Sequence, residues 1–351
     1  MFITGLGTAT PARRYTQKEW WEAFAGSKLA EHLERRSQAV VKKVLNGNNG
    51  IESRHLALEQ LEDAFELGAD ALHARFAKNA PAISETAAHR ALEKAGLEPK
   101  EVDALLISTC TGYLCPGLSS YVSERLGLRS DALLLDLVGQ GCGAALPNLR
   151  TAEALLASGR AHSVLSICVE VCSAALYFDN DPGVLISACL FGDGAAAAVL
   201  QRSPNGGRSV EWKASASLLQ PGDRELLRFD NKEGKLRNIL SPEVPGRAAI
   251  HAEEVLRGVL KHAKANRAGI NGWLLHPGGR DVVLALREKL GLSEQDTRWS
   301  EGILREFGNL SSPSVLFVLE AALQAQAPGG LWYMSSFGAG FSCHGALWEV
   351  E

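Results

Sequence analysis

Short runs of consecutive apolar residues alternate along this chain with longer stretches in which apolar side chains recur every three or four positions. That alternation predicts buried strands set between amphipathic helices. ISETAAHRALEKAGL (83–97) has the helical stripe, with Ser84 as its N-cap and Gly96 as its stop. VDALLIST (102–109) follows as a buried parallel strand. A helix from about Cys142 to Ala157 and the strand HSVLSICVEV (162–171) come next. The second half repeats the theme. It has a helix near 251–265, the strand GWLLH (272–276), helices over 280–290 and from Asn309 to Gln324, and a closing strand GLWYMSS (330–336).

The two halves also match in detail. DALLISTCTG (103–112) aligns with INGWLLHPGG (270–279), and GCGAALPNLRTAEALL (141–156) aligns with GNLSSPSVLFVLEAAL (308–323), both at one offset. LFGDGAAAAVL (190–200) resembles SFGAGFSCHGALWEV (336–350) at a shorter offset, each with an F-G-x-G turn feeding an apolar strand. Three matches in the same order point to an α/β fold made by duplication. The polar stretch QRSPNGGRS (201–209) reads as a surface turn and as the boundary, giving an N-terminal half 1–204 and a C-terminal half 205–351. Residues 220–248 combine charges, Pro and Gly with weak periodicity, which predicts a loop or hairpin insertion of the kind that shapes a pocket.

Composition narrows the class. The chain has 351 residues, 46% hydrophobic and 22% charged, as a folded protein of one large or two smaller domains would. A net charge of −4 supplies no basic field for nucleic acid. Seven cysteines, an odd count without framework spacing, and no signal peptide at the start predict reduced thiols in a cytoplasmic enzyme. No apolar run reaches the roughly 18–20 residues of a membrane span. The most apolar stretch, Ser163 to Leu176, is broken by Glu170.

Three residues stand at equivalent or facing places in the duplicated pattern. Cys142 lies in GQGCGAAL at the mouth of a helix, where flanking glycines allow close approach of a substrate. The helix N-terminus there favours a thiolate. Taken alone, a free cysteine is more often a small buried hydrophobe. His276 ends a buried strand, and the following Pro-Gly-Gly leaves backbone amides free beside the imidazole, an arrangement suited to a base and an oxyanion donor. Alone it reads as a satisfied core histidine. Asn309, paired with Cys142 by the internal alignment, is either an N-cap or an uncharged donor for a developing enolate.

Together GCGAA, FGDGAAA, WLLHPGG, GNLSSPSVLFVLE and the terminal FGAG resemble the type III polyketide synthases, the chalcone-synthase-like family, in its bacterial form. The resemblance runs from TGLGTATPARRYTQ through NGIESRHLAL to the end of the chain. It implies a thiolase-like αβαβα layered fold, a homodimer, and a triad of nucleophilic Cys142 with His276 and Asn309. It also implies acyl-CoA and malonyl-CoA as substrates of decarboxylative Claisen condensation, with no metal or redox cofactor. In that mechanism Cys142 acts as a thiolate paired with protonated His276.

The resemblance extends to a pocket, position by position. Phe191 matches the aromatic gatekeeper between CoA tunnel and cavity, whereas Asn238 falls where the family's second gatekeeper phenylalanine stands. Cys110 replaces a threonine of plant members, with a space-filling or a second-thiol role. Cys115 falls where those members carry a methionine that crosses the dimer interface. Glu170, Cys172 and Ala175 follow the E-V-x-x-x-x pattern, Ala339 replaces the proline of G-F-G-P-G, and Ser311 matches a cavity-lining serine. For CoA, Arg54 in NGIESRH is the leading cation among Arg35, Arg36, Lys42 and Lys43, while Gly278 and Gly279 offer backbone contacts to the pantetheine arm. The smaller pocket residues favour a fatty acyl-CoA starter and a resorcinol or pyrone product. The nearest alternative is a 3-ketoacyl synthase III-like enzyme making a single condensation. That family has His-Gln-Ala-Asn where this chain has His-Pro-Gly-Gly. A papain-like hydrolase lacks support without a Cys-Gly-x-Cys-Trp signature, and a non-catalytic binding module is at odds with an intact triad.

Overall fold

Apolar side chains on both faces of the central strands require that the sheet be covered on each side. The computed structural model, which describes residues 1–351, meets that demand in two similar halves. The first runs β1 (Phe2–Ala9), β2 (Arg14–Thr16), α1 (Gln17–Ala25), α2 (Lys28–His32), α3 (Arg35–Asn46), β3 (Ser53–His55), α4 (Ala69–Ala95), β4 (Ala104–Thr109), α5 (Leu118–Leu126), β5 (Leu133–Val138), α6 (Ala145–Ala157), β6 (Ser163–Glu170), α7 (Pro182–Leu190) and β7 (Gly194–Gln201). The second runs β8 (Val210–Leu219), β9 (Leu227–Lys232), β10 (Lys235–Leu240), α8 (Val244–Ala263), β11 (Ile270–Leu275), α9 (Arg280–Lys289), α10 (Glu294–Phe307), α11 (Ser314–Gln324), β12 (Gly330–Gly338) and β13 (Ser342–Val350).

Nine strands form one mixed sheet in the order β11-β12-β13-β8-β1-β7-β6-β4-β5. Outward from the contact of β8 with β1, one side reads β1-β7-β6-β4 and the other β8-β13-β12-β11. Each side has two antiparallel pairings followed by one parallel pairing. The strands matched in the sequence, β4 and β11, therefore hold the same place on both sides. β5 is an addition at one edge.

Side-chain alternation sorts the strand residues into layers. On β7, Ala196, Ala198 and Leu200 join a central core with Leu106, Leu149, Val315 and Leu319, whereas Ala195, Ala197 and Val199 face a second core under α4. A third core lies between β8, β12 and β13 and helix α8. The helices α6 and α11 each touch strands of both halves, so they form the middle layer of an αβαβα stack with α4 and α8 outside. This is the thiolase-like architecture expected from the motifs. Helix α4 rests directly on β1. A Cβ at Gly5 would lie 2.0 Å from the Ala91 carbonyl oxygen and one at Gly7 2.4 Å from that of Ala87.

Several expected boundaries move. Helix α4 begins at Ala69 with Gly68 as its N-cap, so Ser84 is a buried residue in its interior and not a cap. The apolar stripe through Leu72, Phe76, Ala80, Ile83 and Ala87 carries the helix across Pro81, because burial of that face outweighs one missing hydrogen bond. Gly96 closes it in the left-handed conformation, as expected (φ 67°). Helix α11 starts at Ser314, leaving Asn309 on the preceding loop, and α8 starts at Val244, earlier than its periodicity indicates. The insertion at 220–248 is a two-stranded hairpin of β9 and β10. No helix is long and apolar enough to cross a membrane.

Candidate active site

Cys142 sits in a tight 3₁₀ turn, Gly141–Gly143, that leads into α6. Gly141 adopts φ 55°, and the β12 backbone presses on the turn: a Cβ at Gly338 would lie 2.5 Å from the Gly143 nitrogen. Ser336 Oγ donates to the Gly143 carbonyl at 3.1 Å and pins the turn from the other half of the chain. The thiol accepts a hydrogen bond from Ser311 Oγ at 3.3 Å.

His276 follows β11, its backbone N–H bonded to the Ser335 carbonyl at 2.9 Å. Phe337 meets the imidazole edge-on, with ring centroids 5.1 Å apart. Both ring nitrogens are buried and without a partner. Asn309 is held from three sides. Its backbone N–H donates to the Leu190 carbonyl at 2.9 Å, its Nδ2 donates to the Gly278 carbonyl at 3.0 Å, and its Oδ1 accepts from the Ser311 N–H at 2.8 Å. The amide has two N–H groups, so one stays free for an incoming oxygen. Ser311 takes φ 60°, a left-handed conformation that a non-glycine residue holds only when its surroundings enforce it. The residues 308–311 thereby tie the Cys142 turn, the His276 strand end and the Phe191 segment together.

Electrostatics weigh against a charged pair in the empty site. Burial pushes the Cys142 thiol up to about 12, Ser311's hydrogen bond opposes that shift, and the nearby Glu170 carboxylate adds to it. Burial alone takes His276 down to about 3. No hydrogen bond joins the two groups, and His276 has no anionic partner to hold a proton. Burial thus favours the neutral form of each group in the unliganded site. Neutral imidazole is the form that can accept the proton when a substrate arrives.

Two cavities meet at Cys142. The outer one, about 740 Å³, is lined by His276, Gly278, Gly279, Asn309, Phe191 and Cys142, and opens past Lys43 of α3 and Arg280 of α9. The inner one is about 50 Å³ and is lined by Cys110, Cys142, Cys172, Ala175, Phe191, Asn238, Ser311 and Ala339. Phe191 borders both, where a gate between them would stand.

Three expected residues lie elsewhere. Arg54 is 1% exposed, stacks on Trp20 with its guanidinium 4.7 Å from the ring, and donates to the carbonyls of Ala188 and Phe191. It braces the gate segment from inside and is not at the CoA entrance. The cations at that entrance are Lys43, one of the weaker expectations, and Arg280, which the sequence reading missed although it directly follows His-Pro-Gly-Gly. Glu170 borders neither cavity. It is fully buried behind Cys110 and Ser311, and accepts from the Cys110 N–H at 3.0 Å, Thr111 Oγ1 at 2.9 Å and Ser312 Oγ at 2.6 Å. Cys115 is exposed and touches neither cavity of this chain. Arg35, Arg36 and Lys42 are solvated surface charges. Leu176, Tyr177 and Phe229 line the inner cavity without any motif that marks them.

Residues 13–217 match the family described as FAE1/type III polyketide synthase-like protein, and residues 212–343 match the chalcone and stilbene synthase C-terminal domain. The chain is 31% identical to a 3,5-dihydroxyphenylacetyl-CoA synthase of Streptomyces toyocaensis over 98% of its own length and 89% of the relative's. It is 30% identical to a 1,3,6,8-tetrahydroxynaphthalene synthase of Streptomyces peucetius subsp. caesius over 97% and 90%. Among solved structures, a polyketide synthase of the brown alga Ectocarpus siliculosus superposes with a TM-score of 0.90 at 27% identity, covering 99% of this chain and 98% of that one.

Proposed function

The chain belongs to the type III polyketide synthase family, an acyltransferase family that condenses acyl-CoA with malonyl-CoA, and from that premise we propose how its own residues run the reaction. An acyl-CoA enters through the outer cavity, with Lys43 and Arg280 near the CoA phosphates and the pantetheine arm along Gly278 and Gly279. His276 takes the Cys142 proton as the thiol attacks the thioester carbonyl, and CoA leaves carrying a proton. Malonyl-CoA follows. The free N–H of Asn309 and the His276 ring stabilise its thioester oxygen while carbon dioxide departs and an enolate forms. The enolate carbon attacks the acyl-Cys142 carbonyl, the C–S bond breaks, and the chain, two carbons longer, stays on CoA while the Cys142 sulfur leaves as a thiolate that takes up a proton from water. The observation that carries this reading is that Cys142, His276 and Asn309 line one cavity from three separate segments.

The starter we favour is short. The inner cavity is small beside the outer one, and the products named for the two Streptomyces relatives are aromatic rings without a long alkyl tail. A fatty acyl starter with a resorcinol or pyrone product is the second reading, favoured by the small side chains of Cys110, Cys172 and Ala175 on that wall. Purified protein given labelled malonyl-CoA and acyl-CoA starters from acetyl to long-chain tests both, with products read by mass spectrometry. Tri- to pentaketides from short starters are expected. A single β-ketoacyl product would move the assignment to a ketoacyl synthase.

The working unit we propose is a homodimer formed at β5. This edge strand pairs only with β4 and exposes Leu133, Leu135 and Val138, with Tyr113 and Tyr121 also exposed. A bare apolar edge is an aggregation hazard unless it is covered, and a second copy related by a two-fold axis covers it with itself. Light scattering is expected to give twice the chain mass, and Leu135→Lys to give monomers. A wild-type monomer at micromolar concentration would refute this. The seven free cysteines suit a reducing compartment, and we place the enzyme in the cytoplasm.

A further inference from the structure

Most polar side chains lining the inner cavity are already bonded. Thr111 Oγ1 donates to Glu170 at 2.9 Å, Ser187 Oγ to the Val184 carbonyl at 2.8 Å and Ser311 Oγ to Cys142 at 3.3 Å. The Arg228 guanidinium is held by Glu225 at 2.7 Å and by Asp230. Asn238 differs: it is 7% exposed, it lines this cavity, and its side-chain amide makes no hydrogen bond. The Tyr177 hydroxyl and Nη2 of Arg228 are likewise without a hydrogen bond.

Strand geometry turns Asn238 inward. On β10 it shares a face with Leu236 and Leu240, opposite Phe229 of β9. Its neighbour Arg237 projects the other way, to Asp179 at 2.7 Å and Asp181 at 3.2 Å. The amide is open to the cavity and has no partner in the protein, so whatever displaces water from the cavity must replace its hydrogen bonds or leave it unsatisfied. A chain with a carbonyl on alternate carbons replaces them: the N–H donates to a ketone oxygen, and the amide oxygen accepts from its enol. A saturated alkyl chain leaves the amide unpaired.

We propose that Asn238 is a specificity-determining residue that binds a ketone or enol oxygen of the growing poly-β-keto chain. The inner cavity thereby selects oxygen-rich chains built from short starters over long alkyl chains. This rests on the condensing activity proposed above. An aromatic or aliphatic side chain at this place would gate by bulk, whereas an amide selects by hydrogen bonding.

The test compares Asn238→Leu, Asn238→Ala and Asn238→Ser with the wild-type enzyme, each checked for an unchanged thermal melt. The readouts are kcat/KM for octanoyl-CoA relative to acetyl-CoA, and the longest product by mass spectrometry. Leu keeps the volume and removes the polarity, Ala removes both, and Ser restores a hydroxyl at nearly the size of Ala. Both Leu and Ala are expected to raise the octanoyl preference on the order of ten- to a hundredfold and to shorten the longest polyketide. Ser should lie closer to wild type. Should Asn238→Leu fail to fold, the Ala–Ser pair carries the same comparison. A shift in Ala matched equally by Ser assigns Asn238 a space-filling role and overturns the proposal, as does wild-type selectivity in every variant. Wild-type enzyme that consumes no malonyl-CoA would instead remove the condensing reading beneath it.

Discussion

Cys142→Ala is expected to lower chain extension on the order of 10⁴-fold or more while malonyl-CoA decarboxylation persists. The thiol alone can carry the acyl group, and no other cavity sulfur can replace it. Cys110 is held against the Glu170 carboxylate at 3.4 Å, and burial beside that negative charge drives its thiol well above the ordinary range. Cys172 is likewise pushed up by burial and by Asp193 and Glu170. Decarboxylation needs only a bound malonyl thioester and donors for its oxygen. His276 and Asn309 supply those donors, and neither is hydrogen-bonded to the Cys142 sulfur. Alanine removes one buried sulfur, a change that costs little against the packing of the turn by Gly338 and Ser336, so the melting temperature should shift by only a few degrees. Carbon dioxide release from labelled malonyl-CoA, followed beside product formation, separates the two steps. Retained extension would refute Cys142 as nucleophile, and joint loss of both steps would mean that the turn itself had collapsed.

Much of the site was legible because backbone demands at reacting centres write themselves into sequence. Gly141, with its positive φ, and Gly338, pressed on the Cys142 turn, stand where larger residues would clash, and both belong to motifs that marked the site. Buried strands such as Ala104–Thr109 show as unbroken apolar runs, which made the repeat visible. What escaped notice depends on tertiary surroundings. Ser84 resembles a cap in isolation, but the stripe that extends α4 beyond it is stabilised by packing on β1 and β7. Asn309 has the chemistry of a cap, yet its amide is engaged by Gly278 and Ser311 and the helix starts at Ser314. Arg54 looks like a surface cation in NGIESRH and is instead enclosed by the gate segment. The pull of burial towards neutral forms of Cys142 and His276 depends on tertiary surroundings that spacing along a chain does not record. Asn238 was visible as a departure from the family pattern, but its unpaired amide emerged only from the register of β10.

His276→Gln is expected to slow iodoacetamide alkylation of Cys142 at neutral pH by about ten- to a hundredfold, and to cut malonyl-CoA decarboxylation on the order of 10²- to 10³-fold. With its pKa pushed high by burial, the thiol reacts only as fast as something removes its proton. Burial lowers the pKa of His276, so the imidazole stays neutral from mild acid upward and activity should not fall through its protonation near pH 6. Glutamine retains an N–H donor and comparable length but no basic nitrogen, which isolates the proton-accepting role from the oxyanion-stabilising one. Asn309→Ala makes the complementary cut. It removes the free N–H, so decarboxylation falls by a similar factor. Alkylation drops less, because Ser311, although it loses its anchor at Asn309 Oδ1, still lies beside the sulfur. The pattern across the two variants decides the assignment. If His276→Gln alkylates at the wild-type rate, the imidazole is not the base for Cys142. If Asn309→Ala decarboxylates at the wild-type rate, the enolate oxygen is held elsewhere in the outer cavity, with the backbone N–H of Gly279 as the next donor, since that of Gly278 is bonded to the His276 carbonyl at 3.0 Å.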